Sequence, residues 1–309
     1  MSAAPVQRAR LVAALFCVWV LWGSTYYAIR VAVEVLPPFL MAGTRFLVAG
    51  LLLMSFALFR GEAGPRREHL VPALISGALL ILFSNGLVCW AETRVASSIA
   101  ALVVSCVPLL MLLFDWWRPG GRRPPAFGFA GVAVGMSGVA LLAAPDPDHP
   151  LDVLGIVALL GATISWSVGS LYSRQAGLPE SQMVSTAAQM LCGGALQVAG
   201  GLAFGEGARL EISAVELRHV LAWFWLVGAG SLLGFSAYLW LLKNTTPAVA
   251  TSYAFVNPLV ALTLGAWLGA EILQPRVWIA AALIVGAVAL VVARKREPPR
   301  APPLPGRAA

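Results

Sequence analysis

Ten stretches of this chain are each apolar for long enough to cross a bilayer, and that narrows the folds open to it more than any other feature. Crossing about 30 Å of hydrocarbon takes roughly 20 apolar residues in a helix. On that ruler spans fall at about 11–33, 38–59, 70–92, 96–116, 126–144, 151–173, 182–204, 219–242, 248–270 and 277–293. The segments between them combine helix breakers with charge: Pro37-Pro38, Arg60–Arg67, Pro119–Pro125, the acidic Pro145–Pro150 and Gly205–Arg218. Only 11% of the 309 residues are charged, where a soluble domain has about a quarter. The expected fold is an all-α polytopic membrane protein.

The net charge of +7 could suggest nucleic acid, but the basic residues are scattered through short loops, so no nucleic-acid partner is expected. Their distribution instead follows topology. Fifteen arginines and lysines fall in the termini and loops on one side, five on the other, and Arg45 lies within a span. Positive charge collects on the cytoplasmic side of a membrane, so both termini are expected inside, in a cell (inner) membrane. Arg8 and Arg10 before Leu11–Trp22 resemble a secretory signal. No small-x-small cleavage site follows, so this is read as an uncleaved first span. The proline-rich residues 297–309 are expected to be a disordered cytoplasmic tail.

Two spans are chemically odd. Pro247–Glu271 is apolar enough to cross, yet carries Tyr253, Asn257 and Pro258 near its middle. Tyr253 and Asn257 are four apart and share a helix face. Pro258 leaves the carbonyl of Ala254 without its helical donor. Such a combination is tolerated where a helix lines a cavity. The same kind of segment, Ser97–Phe114, carries Pro108.

These segments belong to a repeat. Shifted by 150, Trp90 falls on Trp240, Ala100 on Ala250, and Pro108-Leu109 on Pro258-Leu259. Shifted by 149, Val139–Leu141 falls on Val288–Leu290; shifted by 144, Trp22 falls on Trp166, Arg30 on Arg174 and Leu47 on Leu191. The shift changes only between spans, as loop insertions would make it. Two units of five spans follow, 11–144 and 151–293. Five is odd, so the second is inverted relative to the first, with a central cavity between them, as in secondary transporters.

The strings WGSTYY (Trp22–Tyr27), PPFLMAGTRFLVAGLLL (Pro37–Leu53), SIAALVVSCVP (Ser98–Pro108), ATSYAFVNP (Ala250–Pro258) and GAE (Gly269–Glu271) resemble EamA-type permeases of the drug/metabolite transporter superfamily, in particular its YedA-like bacterial members. The resemblance runs from Leu11 to about Arg294. It implies ten helices in two inverted halves and transport, often export, of amino acids, related metabolites or drug-like compounds. Gln189 stands where relatives often carry an acidic residue, which departs from carboxylate-dependent coupling at that position.

Several residues within or beside the spans are candidates for the site. Trp22, Ser24 and Tyr26 lie in the first span, Trp22 near midplane by helix rise, and either face the cavity or anchor the helix. Trp166 is the counterpart of Trp22. Arg45 sits roughly 10 Å deep, where a charge must face protein or water. It is read either as a clamp for an anionic group or as a tie to Glu34, Glu92 or freed carbonyls. Asn85 is interhelical glue or a ligand, and Gln189, Tyr238, Tyr253 and Asn257 complete the cavity set. Glu92, Trp90 and Trp240 are gate candidates; for Glu92 a solvated helix end or a partner for Arg94 is the plainer alternative. Pro108 and Pro258 are the hinge candidates. The pairs Gly131/Gly135, Gly230/Gly234 and Gly265/Gly269 are read as helix packing within the chain rather than a dimer face.

Cys17, Cys89, Cys106 and Cys192 lie in apolar runs without CxxC spacing, and His69, His149 and His219 fall in loops, so neither metal nor cofactor is expected. No Asp or Glu lies well inside a span. Facilitated diffusion, exchange, or proton coupling through Glu92 or Glu34 therefore stay open. The expected partners are the bilayer and a small-molecule substrate, moved by alternating access. An intramembrane protease would need a membrane-embedded Ser with a His, or two Asp within spans. A receptor or scaffold would not need inverted repeats.

Overall fold

A computed structural model describes residues 3–117, 123–144, 152–245, 247–271 and 274–294. The tail at 297–309, the acidic Pro145–Pro150 break and His149 lie outside these residues. Ten helical rods run through the described chain. Span 1 joins Ala3–Phe16 to Trp22–Ala32 through Cys17–Leu21, span 2 is Pro38–Phe59, and span 3 joins Arg67–Gly77 to Gly86–Ala91 through Ala78–Asn85. Span 4 is Ser97–Val104 with Val107–Trp117, and span 5 is Ala126–Ala143. Spans 6 and 7 are Val153–Ser173 and Gln182–Ala203. Span 8 joins Leu217–Trp225 to Ser236–Asn244 through Leu226–Phe235, span 9 is Pro247–Ala250 with Tyr253–Trp267, and span 10 is Pro275–Arg294. Spans 1–4, 6 and 8 are long and apolar enough to cross a membrane whole, spans 5, 9 and 10 hold shorter apolar helices, and span 7 is a helix of 22 residues.

The repeat is visible in how the rods are pinned. Spans 2 and 7 form the most extensive helix pair. Each ends in a glycine with positive φ, Gly61 (79°) and Gly205 (75°), a conformation that glycine adopts without a Cβ clash. Each glycine is followed by a glutamate that caps the start of the partner. Glu206 accepts from the N–H groups of Phe39 (3.2 Å) and Leu40 (2.8 Å) at the head of span 2. Glu62 accepts from the Ser181 hydroxyl at the head of span 7. A carboxylate there meets unpaired N–H groups and the positive end of the helix dipole. Glu62 and Glu206 are 144 apart, the same shift as Trp22 and Trp166. The reciprocal caps also place the two rods antiparallel, as an inverted repeat demands.

Spans 3 and 8 repeat a second device. His69 and His219, expected in loops, sit in the first turn of their helices, where each Nδ1 accepts from the main-chain N–H three residues earlier, Arg66 at 3.1 Å and Glu216 at 3.0 Å. Both rods then widen into π-helix, at Ala78–Asn85 and Leu226–Phe235. A π-helix shifts the ladder to i→i+5 and frees carbonyls for outside donors. The Ser165 hydroxyl of span 6 donates to the Leu79 carbonyl (2.7 Å), and the Trp22 indole of span 1 donates to the Gly230 carbonyl (2.9 Å).

Spans 4 and 9 are both broken, but not at their prolines. The interruption in span 4 is at Ser105-Cys106, ahead of Pro108, and in span 9 at Thr251-Ser252, while Tyr253–Trp267 runs unbroken through Pro258. Proline disturbs only the turn that precedes it, by crowding residue i−1 and removing the donor to i−4, which accounts for the break just ahead of Pro108 but not for the one six residues ahead of Pro258. Beyond span 9, Ala270 takes a positive φ of 49° and turns Glu271 back onto the head of span 4. There Glu271 accepts from Ser97 N–H (2.9 Å), Ser97 hydroxyl (2.6 Å) and Ser98 N–H (3.3 Å). A Cβ on Gly265 would lie 2.4 Å from the Glu271 carboxylate. Gly265 thus makes room for a cap rather than for a neighbouring helix.

Candidate functional site

Spans 1, 3, 4, 6 and 9 enclose a small central cavity of about 70 Å³. Its walls include Trp22, Tyr26, Asn85, Trp166, Tyr253 and Asn257, six of the residues singled out from sequence, with Thr25, Ser84, Val88 and Val104 beside them. The two repeat-related tryptophans meet edge to face, ring centroids 5.4 Å apart. Tyr253 stands edge-on to Trp22 at 5.5 Å, and Tyr238 packs on Trp166 at 5.0 Å and Trp22 at 5.3 Å. Four rings from four rods thus form one cluster. Such offset and perpendicular contacts are favoured by the ring quadrupole. Tyr238 is fully buried behind this wall, its hydroxyl 2.6 Å from Ser170 Oγ.

Trp22 is placed by two features that sequence pattern did not show together. Its indole is held by the carbonyl that the π-helical segment of span 8 frees, and its ring lies against Gly234, where a Cβ would come within 2.4 Å of Cδ1. The Gly230/Gly234 pair therefore receives an aromatic ring on a widened helix.

Asn257 is 3% exposed, and its amide nitrogen faces the main-chain oxygens of Val18 (2.8 Å) and Trp19 (2.9 Å). Both carbonyls belong to the π-helical Cys17–Leu21 of span 1. The Trp19 indole donates in turn to Ser252 Oγ at the break in span 9 (3.0 Å). Asn257 is thus a tie between a π-helical segment and a broken helix, on the cavity wall.

Arg45 is buried at 2% exposure. It donates to Asn85 Oδ1 at 2.6 Å and lies 4.8 Å from the Phe46 ring. It is not tied to Glu34, which pairs with Arg218 at 3.1 Å. Glu92 corrects the plainer sequence reading: it is 0% exposed rather than solvated. Arg94 pairs instead with Asp152 at 2.7 Å and lies 4.6 Å from the Trp90 ring. Trp90 and Trp240 are half-buried near opposite ends of the bundle. Ser24 and Gln189 are not in the central cavity. Ser24 accepts from Trp225 (3.0 Å) at a vestibule on the face opposite the chain ends, and Gln189, 1% exposed, borders a pocket on the face that carries them.

The vestibule is about 810 Å³ and carries Arg30, Glu34, Arg94, Arg218 and Glu271. The pocket on the terminal face is about 300 Å³ and carries Arg174, Glu180, Gln182 and Lys243. The repeat relates them. Tyr26 borders the cavity and Arg30, one turn on, the vestibule; Ser170 lies behind the aromatic cluster and Arg174, one turn on, borders the terminal pocket. Each shift is 144.

Outside the membrane spans, Asp152 caps span 6. Its carboxyl is held below the usual range by the Gly155 N–H and then by Arg94.

Comparison with known proteins yields the EamA-like transporter family, matched twice, at residues 10–144 and 153–293. The inner membrane transporter YedA of Escherichia coli K12 is 40% identical over 287 residues, covering 92% of this chain and 91% of that one. The transporter YvbV of Bacillus subtilis 168 is 26% identical over 292 residues, covering 94% and 93%. The protein PecM of Dickeya dadantii is 27% identical over 289 residues, covering 90% and 93%. One solved crystal structure, 23% identical, superposes with a TM-score of 0.66 over 94% of this chain and 99% of its own, a likeness of fold.

Proposed function

The chain belongs to the EamA-like transporter family, a multi-pass inner membrane protein of ten helices in two inverted five-helix repeats, and we propose that it is a secondary transporter of small organic metabolites working by alternating access. The observation that carries this reading is the cavity wall itself. Repeat-related Trp22 and Trp166 meet at the interface of the two halves, between a vestibule on one face and a pocket on the other. A cavity of about 70 Å³ holds little more than two waters. That is far below the about 300–1,000 Å³ of a ligand pocket, so a substrate needs one half to move away from the other. Four aromatic rings beside Asn85 and Asn257 suit amino acids or related compounds with an apolar or aromatic body, and drug-like amphiphiles. The breaks in spans 4 and 9 are where the halves can flex.

The bias of basic residues supports termini in the cytoplasm, which makes the vestibule periplasmic and the terminal pocket cytoplasmic. Export then means loading from the pocket beside Arg174 and release past Arg30. Counterflow into proteoliposomes, run with single amino acids, nucleosides and cationic dyes, tests the function. Exchange of at least one compound that Tyr253→Ala and Trp166→Ala abolish is expected. No exchange with any of them would overturn the transport reading.

A further inference from the structure

Glu92 is the one buried carboxylate among the described residues with neither oxygen hydrogen-bonded. It lies at the end of span 3, two turns beyond Asn85 and on the same face, so it stands between the central cavity and the vestibule. Arg30, a vestibule residue, donates to the main-chain carbonyl of Glu92 and acts on its carboxylate by charge, without a hydrogen bond from the guanidinium to it. The ionisable groups whose charge reaches it are Arg30 and Tyr26 on span 1, Arg45 on span 2, Cys89 one turn back on span 3, and Glu271 beyond span 9. Arg45 donates to Asn85 through one nitrogen while its buried Nε has no hydrogen-bond partner, and Glu271 is held at the head of span 4. A carboxylate removed from water with no donor facing it is held in its neutral form.

The repeat removes the structural explanation for this group. By the shifts of 144 and 150, Arg45, Asn85 and Glu92 fall on Gln189, Phe235 and Leu242. Leu242 is buried at 2% and Phe235 at 1%, so the second half closes the same positions with neutral side chains. The fold needs a buried residue there, not a charge.

We propose that Glu92 is a proton-binding residue of the transport cycle: it holds a proton while the cavity is closed and gives it to vestibule water when that side opens. The O–H bond breaks, its electron pair stays on the carboxylate, and the proton leaves with the water. Arg45, two turns away through Asn85, then compensates the anion. This rests on the alternating-access reading, but its test needs no substrate, so either can fail alone.

The test is infrared spectroscopy of the full chain in lipid nanodiscs, titrated between about pH 5 and about pH 9. Wild type should show a protonated-carboxyl band at neutral pH that Glu92→Gln removes and Glu92→Asp moves. Absence of that band from wild type, or its survival unchanged in Glu92→Gln, overturns the proposal. If Glu92→Gln does not fold, an unmoved band in Glu92→Asp has the same force. A second readout follows opening. In sealed proteoliposomes, Val88→Cys, on the cavity wall, is labelled by an impermeant maleimide from the vestibule side and referenced to Ser213→Cys at an exposed position. The referenced rate should rise about tenfold or more across the titration and be flat in Glu92→Gln. A rise that persists in Glu92→Gln overturns the assignment.

Discussion

Replacing Asn257 by alanine removes the tie between spans 1 and 9, and its size follows from what the side chain holds. The amide nitrogen faces two carbonyls of the π-helical segment of span 1, Val18 at 2.8 Å and Trp19 at 2.9 Å. With the side chain 3% exposed, no water takes its place without rearrangement. A hydrogen bond between helices in a membrane contributes about 0.6 kcal/mol on average and up to about 1.7. Two of them, lost from a buried site, amount to about 1–3 kcal/mol, or roughly 5- to 150-fold in the equilibrium between folded and unfolded chain. Equilibrium unfolding in mixed micelles measures it, with Trp19→Phe as the companion variant because the Trp19 indole holds Ser252 at the same junction. Asn257→Ala should lower stability by that amount, and the pair of changes should be non-additive by about 0.5 kcal/mol or more, since both act on one contact. Membrane insertion should be normal and transport reduced. An unfolding free energy within about 0.3 kcal/mol of wild type would refute the tie, because two buried carbonyls cannot lose their donor without effect.

Other changes separate scaffold from site. Gly234→Ala would put a Cβ 2.4 Å from Trp22 Cδ1, so the indole must leave its place; a loss of about 1–3 kcal/mol and a shifted tryptophan emission are expected. Glu206→Ala should cost about 1–3 kcal/mol, because it strips a buried carboxylate from two amides, and Glu62→Ala less. The two caps sit at opposite ends of rods of 22 residues, about 33 Å apart, so the double variant should be additive within about 0.5 kcal/mol in the same unfolding assay. Asp152, with its carboxyl lowered by Gly155 and Arg94, stabilises the fold above the ordinary carboxylate range and loses that contribution as pH falls through its lowered value. Thermal melts against pH should lose that acid-side slope in Asp152→Asn.

The fold was legible because bilayer thickness imposes a length on every span and an inverted repeat imposes a register. Trp22 and Trp166, matched by a shift of 144, do meet. The same shift relates Glu62 to Glu206, each after a glycine, but a Gly-Glu pair at a span end reads simply as a polar loop, and only the partner helix reveals a cap. The π-helical segments left no trace in the apolar pattern, since slipping the ladder from i→i+4 to i→i+5 changes which carbonyls are free without changing which side chains are apolar. Both proline-bearing spans are broken, just ahead of Pro108 in span 4 but nearly two turns ahead of Pro258 in span 9, beyond the carbonyl that Pro258 leaves without a donor. Glu92 was misplaced for a different reason. Its neighbours Thr93 and Arg94 are polar, and sequence cannot say that Arg94 turns to Asp152 and leaves Glu92 inside.

What the repeat does not share bears most directly on mechanism. The scaffold is nearly symmetric: reciprocal glutamate caps on spans 2 and 7, histidine boxes on spans 3 and 8, breaks in spans 4 and 9. The polar chemistry is not. Tyr253 and Asn257 stand against Val103 and Val107, and Arg45, Asn85 and Glu92 against Gln189, Phe235 and Leu242. Two halves equal in both respects would leave the states open to either face close in energy, and nothing but the substrate gradient would favour one. Concentrating the charged groups of the interior on the vestibule side makes opening there depend on what happens to those charges, while opening on the terminal side works against neutral packing. A differential of that kind is what lets a ligand or a proton bias an equilibrium between two states. In the proposed cycle the asymmetry would serve the coupling, and the symmetry the motion that carries it.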